Sequence, residues 1–163
     1  MEIVTMKDSD WESVSRIFLA GIQTEKATFR SELPTFDEWN SGHIKSCRLV
    51  AKKQKQIVGW AALSPISNRK EYRGVAEVSI YVDKRNEGEG IGTSLLKEII
   101  HLSERQGVWT LQASIFRENV SSINLHVKCG FREVGYREKI AQTNSGIWHD
   151  VILMERRSKD VFY

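Results

Sequence analysis

Apolar residues recur along this chain at two spacings, which predict a mixture of helices and strands. Around residues 14–18, and again from 91 to 102, they return every three or four positions, as on one face of a helix. Elsewhere they alternate with polar residues or form short β-branched runs, as strands do. The predicted strands are residues 1–5 and the segments "CRLVAKK", "QIVGWAALS", "VAEVSIYV", "TLQASIF", "FREVGYREKIA" and "IWHDVILMER".

Helix starts are marked by polar residues. Ser9 with Glu12, and Thr35 with Glu38, each fit the capping-box pattern, so two helices are expected there, the second running to about residue 46. A third predicted helix follows three glycines, and a fourth begins near Asn119. The early strands pair as hairpins and the later ones alternate with helices. This order predicts an α/β fold in which a mixed sheet carries helices on its faces.

Composition narrows the class of protein. A length of 163 residues with 40% hydrophobic content fits one domain spanning residues 1–163. A net charge of +3, from 24 basic and 21 acidic residues, is no nucleic-acid footprint. No apolar run approaches the roughly 20 residues that cross a bilayer, and no signal-peptide pattern is present. We therefore expect a cytoplasmic protein that contacts neither membrane nor nucleic acid.

Cysteine and histidine spacing predicts no metal site. Cys47 and Cys129 form no CxxC pair and are expected to be packing residues in a reducing compartment. The four histidines show no ligand spacing with Cys or Asp.

Three glycines at alternate positions, Gly88, Gly90 and Gly92, separate a predicted strand from a predicted helix. The unpaired amides and the dipole of a helix N-terminus suit an anion such as a diphosphate. The loop is neither a Walker A motif nor a Rossmann fingerprint, and alone it also fits a flexible turn. Two acids, Glu87 and Glu89, stand beside the glycines, which is unusual for a phosphate site.

With the later "N-x-x-S…CGF" segment, this loop resembles the GNAT superfamily of acetyl-CoA-dependent N-acetyltransferases. The resemblance to the phosphinothricin and related L-amino-acid N-acetyltransferases spans nearly the whole chain. It implies a mixed, mostly antiparallel central sheet of about six to seven strands with helices on both faces. The residues that carry it are "ATF" at 27–29, Trp39, His43, "IVGWAALSPI", Arg69, Tyr72, "AEVSIYVD", Asn119, Ser122, Gly130 and Phe131.

The resemblance departs from the family's pattern in the loop, which in the family reads Arg/Gln-x-x-Gly-x-Gly/Ala. Without gaps, the Arg/Gln position is Glu87, and a position that is often basic is Glu89; Arg85 fits only in a frame two residues earlier. Backbone amides do most of the phosphate binding, so we expect acetyl-CoA affinity to be several-fold weaker and not abolished. Lys84, Arg85 and Arg117 are expected to supply compensating positive charge.

The resemblance implies roles for the reacting residues. Glu77 matches the family's general base, which is needed because only a neutral amine attacks a thioester. Backbone amides near Tyr81 and Val82 match the oxyanion donors. His126 stands four residues after Ser122, where many members place a tyrosine that protonates the departing thiolate. A histidine can do the same, and a structural role for His126 is equally compatible.

Acetyl-CoA is the implied co-substrate, without a metal. The residues implied to bind it are Ile80, Tyr81, Val82, Glu87, Gly88, Glu89, Gly90, Ile91, Gly92, Asn119 and Ser122. Asn119 could cap its helix at the same time. The residues implied to bind the amine substrate are Phe29, Arg69, Tyr72 and Arg73. An arginine among them suits a substrate carboxylate, to which it can donate two hydrogen bonds. A solvated loop is the alternative for the last three. Trp39 and Trp60 could wall the pocket or belong to the core.

The implied reaction is acetylation of the amine of a small amino acid or analogue. Phosphinothricin, methionine sulfone and methionine sulfoximine are typical substrates, and transfer is direct in a ternary complex. The subgroup also implies a homodimer. The alternatives are a peptide or protein N-terminal acetyltransferase, a non-catalytic acyl-CoA-binding module, and a nucleotide-binding protein.

Overall fold

The computed structural model describes all 163 residues. It contains seven strands and four α-helices. In chain order they are β1 (Glu2–Thr5), α1 (Trp11–Gln23), α2 (Phe36–Gly42), β2 (Arg48–Lys53), β3 (Gln56–Pro65), β4 (Val75–Val82), α3 (Ile91–Arg105), β5 (Thr110–Phe116), α4 (Val120–Lys128), β6 (Arg132–Gln142) and β7 (Trp148–Arg157). Short 3-10 turns occupy Asp8–Asp10, Lys70–Tyr72 and Lys84–Asn86.

The strands form one sheet in the order β1-β2-β3-β4-β5-β7-β6. Every neighbouring pair is antiparallel except β4 and β5. These two parallel strands pair at three positions, from Val75 opposite Thr110 to Glu77 opposite Gln112. Beyond Glu77 they separate, so the sheet is split along its C-terminal half at this point. The prediction of a mixed, mostly antiparallel sheet is confirmed.

Helices cover both faces of the sheet, as predicted. On β3, Ala61 and Leu63 join the cluster around α3, whereas Trp60 and Ala62 join the smaller cluster around α1. The alternation follows from the period-two geometry of a strand. Trp39 and Trp60 are almost completely buried, so they are core residues and not pocket walls. Cys47 is buried and Cys129 half-buried, and neither is in a disulfide.

One of the two predicted capping boxes forms. At Thr35 the side chain accepts a hydrogen bond from the Glu38 amide at 3.2 Å, and the Glu38 carboxylate accepts one from the Thr35 amide at 3.1 Å. The Ser9–Glu12 box is wrong, because the Asp10 carboxylate instead accepts from the Lys7 amide at 2.8 Å and starts a 3-10 turn. The second helix also ends at Gly42, short of the predicted boundary.

None of the helices combines the length and apolar character that crossing a bilayer requires.

Candidate active site

The gap between β4 and β5 opens into a cleft of about 810 Å³. Its walls come from the separated halves of these strands, the glycine loop (residues 87–92), the first turn of α4 and the segment after α1. All but one of the residues implied to bind acetyl-CoA line it. Those that do are Ile80, Tyr81, Val82, Glu87, Gly88, Gly90, Ile91, Gly92, Asn119 and Ser122; Glu89 does not.

The glycine loop adopts the conformation that its glycines allow. Gly88 and Gly90 both have φ of +80°, a left-handed region that other residues enter at a cost. Gly90 precedes α3, and no side chain caps the helix there. The first amides of α3 therefore remain free at the cleft, where the helix dipole favours an anion.

The two loop glutamates point in different directions. The Glu89 carboxylate accepts hydrogen bonds from Lys53 Nζ at 2.8 Å and Asn86 Nδ2 at 2.9 Å, which lower the pKa of its carboxyl. It therefore ties the loop to the β2–β3 hairpin, outside the cleft. Glu87 is exposed, lines the cleft and has no hydrogen-bonded partner for its side chain. Its position supports the ungapped reading of the motif.

Two of the three expected compensating cations are paired with carboxylates outside the cleft. Arg85 pairs with Asp83 at 3.0 Å, and Arg117 pairs with Asp150 at 3.2 Å. Neither these arginines nor Lys84 lines the cleft, so that expectation is wrong. The basic residue in the cleft wall is Lys26, which belongs to the irregular segment after α1. No periodic or motif signal in the sequence marks Lys26.

Glu77 lies at the last position at which β4 pairs with β5, where the sheet splits. Its Oε1 accepts hydrogen bonds from Ser114 Oγ at 2.9 Å and, more weakly, from Gln112 Nε2 at 3.4 Å. Its Oε2 has no partner in the protein. Glu77 itself does not line the cleft, but its partner Ser114 and the next residue Val78 do, so the carboxylate lies at the edge of the cleft with one oxygen available.

Tyr81 packs its side chain into the α1 side of the sheet. The ring stacks on Trp60 at 5.0 Å, contacts Phe18 at 4.9 Å and lies against Gly21, where a Cβ would come within 2.6 Å of the ring. Burial raises the pKa of Tyr81 to about 12. The phenol is therefore a packing group, and any part that Tyr81 takes in oxyanion binding falls to its backbone.

His126 is buried in the wall beside Ser122. Its Nδ1 lies 2.7 Å from the Ser122 carbonyl oxygen, which can only accept, so Nδ1 carries the proton. Burial lowers the pKa of His126. The neutral ring then presents a lone pair at Nε2 and has no proton there for a thiolate.

The Asn119 side chain accepts a hydrogen bond from the Ser122 amide at 3.3 Å, so it caps α4 while lining the cleft.

The residues implied to bind the amine substrate are only partly brought together. Phe29 packs against Phe116 with ring centroids 4.6 Å apart, next to the cleft. Arg69, Tyr72 and Arg73 lie in the exposed connection between β3 and β4 and do not line the cleft. Arg69 rests over the Tyr72 ring.

Sequence reasoning missed a histidine–carboxylate pair in the cleft. His149 Nδ1 lies 3.1 Å from Glu118 Oε2, and the imidazole stacks on Phe116 at 4.1 Å. Both residues line the cleft. They are 31 positions apart in sequence, and His149 follows an ordinary strand alternation, so no local pattern marks them. No group of three or more His, Cys, Asp or Glu side chains is placed to hold a metal ion.

A split sheet, an uncapped helix start behind a glycine loop and a carboxylate at the split define a class of protein. Members of this class are acyltransferases that bind a phosphorylated thioester between two separated strands. The chain belongs to the Acetyltransferase (GNAT) family, whose profile matches residues 11–131. It is an acetyl-CoA-dependent acetyltransferase.

Three known proteins illustrate the similarity. YwnH of Bacillus subtilis, provisionally named a phosphinothricin acetyltransferase, is 32% identical over 90% of this chain and 93% of its own. A phosphinothricin acetyltransferase from Sinorhizobium meliloti, solved in complex with acetyl-CoA, is 26% identical with a TM-score of 0.88 over 99% of this chain and 90% of its own. A ribosomal-protein-alanine N-acetyltransferase from Brucella melitensis is 28% identical with a TM-score of 0.88 over 97% of this chain and 100% of its own.

Proposed function

We propose that the protein acetylates the amine of a small amino acid or amino-acid analogue of the phosphinothricin, methionine sulfone or methionine sulfoximine type. Transfer is direct, in a ternary complex with acetyl-CoA, which supplies the acetyl thioester when bound. The observation that carries this proposal is the Glu77 carboxylate. It stands where β4 and β5 part, with one oxygen held by Ser114 and the other free.

Each residue at the split then has a task in the proposed reaction. Glu77 takes a proton from the substrate nitrogen, directly or through one water, because the nitrogen must lose protons to become an amide. Successive amides of β4 point alternately to β3 and to the split, and the Asp83 amide donates to the Val58 carbonyl on the β3 side. Of the amides near Tyr81 and Val82, that of Val82 therefore faces the split and is available to stabilise negative charge on the carbonyl oxygen. The first amides of α3 hold the diphosphate.

The aromatic end of the cleft supports a small substrate. Phe29, Phe116 and His149 pack together, with His149 6.0 Å from Phe29. An amino acid fits beside such a wall, whereas a peptide needs an open groove. Peptide N-terminal acetylation remains the second candidate, because one similar structure is a ribosomal-protein-alanine N-acetyltransferase.

A panel of amines distinguishes these functions. Coenzyme A thiol release would be measured with phosphinothricin, methionine sulfone, the natural amino acids, spermidine and a short peptide beginning with alanine. We expect turnover of an amino acid or its analogue and little with the peptide. Turnover of the peptide alone would favour the second candidate. No turnover of any amine, while acetyl-CoA still raises Tm, would favour a binding module.

The free edge of the sheet supports a homodimer, which we also propose. β6 is an edge strand of 11 residues that pairs only with β7, and its exposed apolar side chains include Val134, Tyr136 and Ile140. Long apolar edges are normally covered in the native assembly. Sedimentation should give twice the mass of 18.7 kDa, and Tyr136→Glu should shift the protein towards monomer. A wild-type monomer at micromolar concentration would contradict the homodimer.

A cytoplasmic location, which we also propose, agrees with the two unpaired cysteines.

A further inference from the structure

His149 leaves one buried nitrogen without a partner. The residue is 6% exposed and lines the cleft, yet its Nε2 makes no hydrogen bond in the protein. Buried polar atoms without a partner are rare in proteins, and one that faces a cleft is explained by a ligand or by a catalytic task. The ring cannot turn away easily, because it is stacked on Phe116 with an interplanar angle of 14°.

The partner of Nδ1 determines what Nε2 can do. The Glu118 carboxylate is ionised and can only accept a hydrogen bond, so Nδ1 donates to it across 3.1 Å. The neutral imidazole therefore has a lone pair at Nε2, directed away from Glu118. Such an atom binds an N–H or O–H donor, and the amine substrate is the donor that the proposed reaction brings into this cleft.

The charges around His149 also favour a cationic ligand. Glu118 approaches from the start of α4, Glu25 from the segment after α1, and Asp150 is the next residue of β7. Hydrogen bonds from Ser145 lower the pKa of the Glu25 carboxyl. On the positive side Lys26 lines the cleft and Arg117 is paired with Asp150. With the Asp150–Arg117 pair set aside, Glu118 and Glu25 outnumber the one free cation, Lys26, which suits an ammonium group.

We propose that His149 accepts the first proton of the substrate ammonium, directly or through one water, and that Glu118 stabilises the resulting imidazolium. This inference rests on the proposed function and adds a second proton acceptor to it. An ammonium loses two protons on its way to an amide. The first goes to His149 Nε2 and frees the lone pair of the amine. The nitrogen–carbon bond then forms while the carbon–sulfur bond breaks.

Glu77 takes the second proton from the nitrogen in this scheme. One of the two protons returns to the thiolate sulfur, and the other is released to solvent. The two acceptors thus have separate tasks. His149 acts on the bound ammonium, whereas Glu77 acts as the new bond forms. Loss of His149 should therefore matter only while the substrate amine is protonated in solution.

The test is the pH dependence of kcat/KM for His149→Gln, measured with phosphinothricin and methionine sulfone. Glutamine keeps a hydrogen-bonding atom near Nε2 but cannot act as a base. We expect kcat/KM at pH 7 to fall about 100-fold, which is the lower end for general-base catalysis. The loss should shrink to a few-fold above the pKa of the substrate amine, because the free amine needs no first deprotonation. Glu118→Gln should show a smaller loss of the same form.

Two controls separate this task from a structural one. His101→Gln alters an exposed histidine on α3 and should leave kcat/KM unchanged. The shift in Tm caused by acetyl-CoA should be the same for His149→Gln as for the wild type. A loss that is equal at every pH, or no loss, would overturn the proposal. Wild-type inactivity towards every amine would refute the proposed function and this inference with it.

A readout that does not need turnover comes from ¹⁵N NMR of the histidine rings. At pH 8 we expect the proton of His149 on Nδ1, with Nε2 unprotonated and its shift perturbed by added phosphinothricin. A proton on Nε2 instead would overturn the proposal even if the enzyme is active.

Discussion

Glu87 and Glu89 show how two identical side chains in one loop can have different consequences. Glu89 forms a hydrogen-bonded ion pair with Lys53 at 2.8 Å and does not line the cleft, so it supports the loop from behind. Glu87 lines the cleft and forms no ion pair. The sequence predicts two acids next to a diphosphate, whereas only Glu87 lines the cleft in the structure. What distinguishes the two glutamates is the contact of Glu89 with Lys53 of the β2–β3 hairpin, 36 residues away in sequence.

Charge reversal at these two positions should therefore give different results. Glu87→Arg should tighten acetyl-CoA binding about fivefold, because a charge reversal at about 8 Å in water is worth about 1 kcal/mol. Glu89→Arg is the matched control; it breaks the Lys53 pair and should give no gain. Isothermal titration with acetyl-CoA at low and high salt measures both effects. Equal tightening by both substitutions would contradict the different roles assigned to them.

His126 illustrates a role that sequence position suggests and local geometry disfavours. Its Nδ1 proton is directed to the Ser122 carbonyl, and burial lowers its pKa, so the ring offers no proton to a thiolate. We expect His126→Phe, which keeps the ring volume, to retain kcat within about tenfold. Stopped-flow measurement of thiol release at pH 7 tests this. A loss of 100-fold or more in a folded variant would restore His126 as the proton donor.

At the scale of elements, the strands and the later helices could be predicted because their signals are local. A continuous apolar run defines β3, alternation defines β4, and the Thr35–Glu38 box defines the start of α2. The Ser9–Glu12 prediction failed because Asp10, which lies between them, forms the capping hydrogen bond with the Lys7 amide instead. The irregular segment 24–35 has no periodicity, yet it supplies Lys26 and Phe29 to the cleft region. Its conformation is set by tertiary packing and not by local preference.

The connection between β4 and α3 depends on backbone conformation. Gly90 has φ of +80°, and no atom lies within 4 Å of the place that a Cβ would take, so an added methyl group meets strain but no clash. Gly90→Ala should cost about 1–2 kcal/mol and weaken acetyl-CoA binding by roughly tenfold. Gly42→Ala is the matched control, because Gly42 has equal space and no positive φ. The Kd of acetyl-CoA decides the matter; identical values for both variants would show that the left-handed conformation is dispensable.

For the whole molecule, the fold class could be predicted, and the geometry of the site only in part. The glycine loop and Asn119 follow from short motifs, and they do line the cleft. The Glu77–Ser114 and Glu118–His149 contacts join residues 37 and 31 positions apart, and they depend on where the sheet splits. Strand order and the split itself are tertiary features that no single segment encodes. Arg69, Tyr72 and Arg73 were expected near the substrate but lie in an exposed connection of the isolated chain.

Stability should depend on pH through the half-buried His43 and the buried His126. Burial lowers the pKa of His43 and of His126 below 6.5, so the unfolded chain binds protons first as the pH falls. The free energy of unfolding must then decrease from just above pH 6.5 downwards, and it is unaffected by these groups at higher pH. Urea unfolding at pH 7.5, 6.5 and 5.5 measures the trend. His126→Asn, which can keep the bond to Ser122, should flatten it; an increase in stability towards pH 5.5 would contradict the assignment.

The central claim is that Glu77, at the split between β4 and β5, removes a proton from a small amine that acetyl-CoA acetylates. The most direct measurement is thiol release by Glu77→Gln beside the wild type, with phosphinothricin or methionine sulfone at neutral pH. Glutamine keeps the size of the side chain and can still accept from Ser114. We predict a loss of kcat/KM of at least 100-fold with an unchanged Kd for acetyl-CoA. A variant that remains within a few-fold of an active wild type would contradict the account.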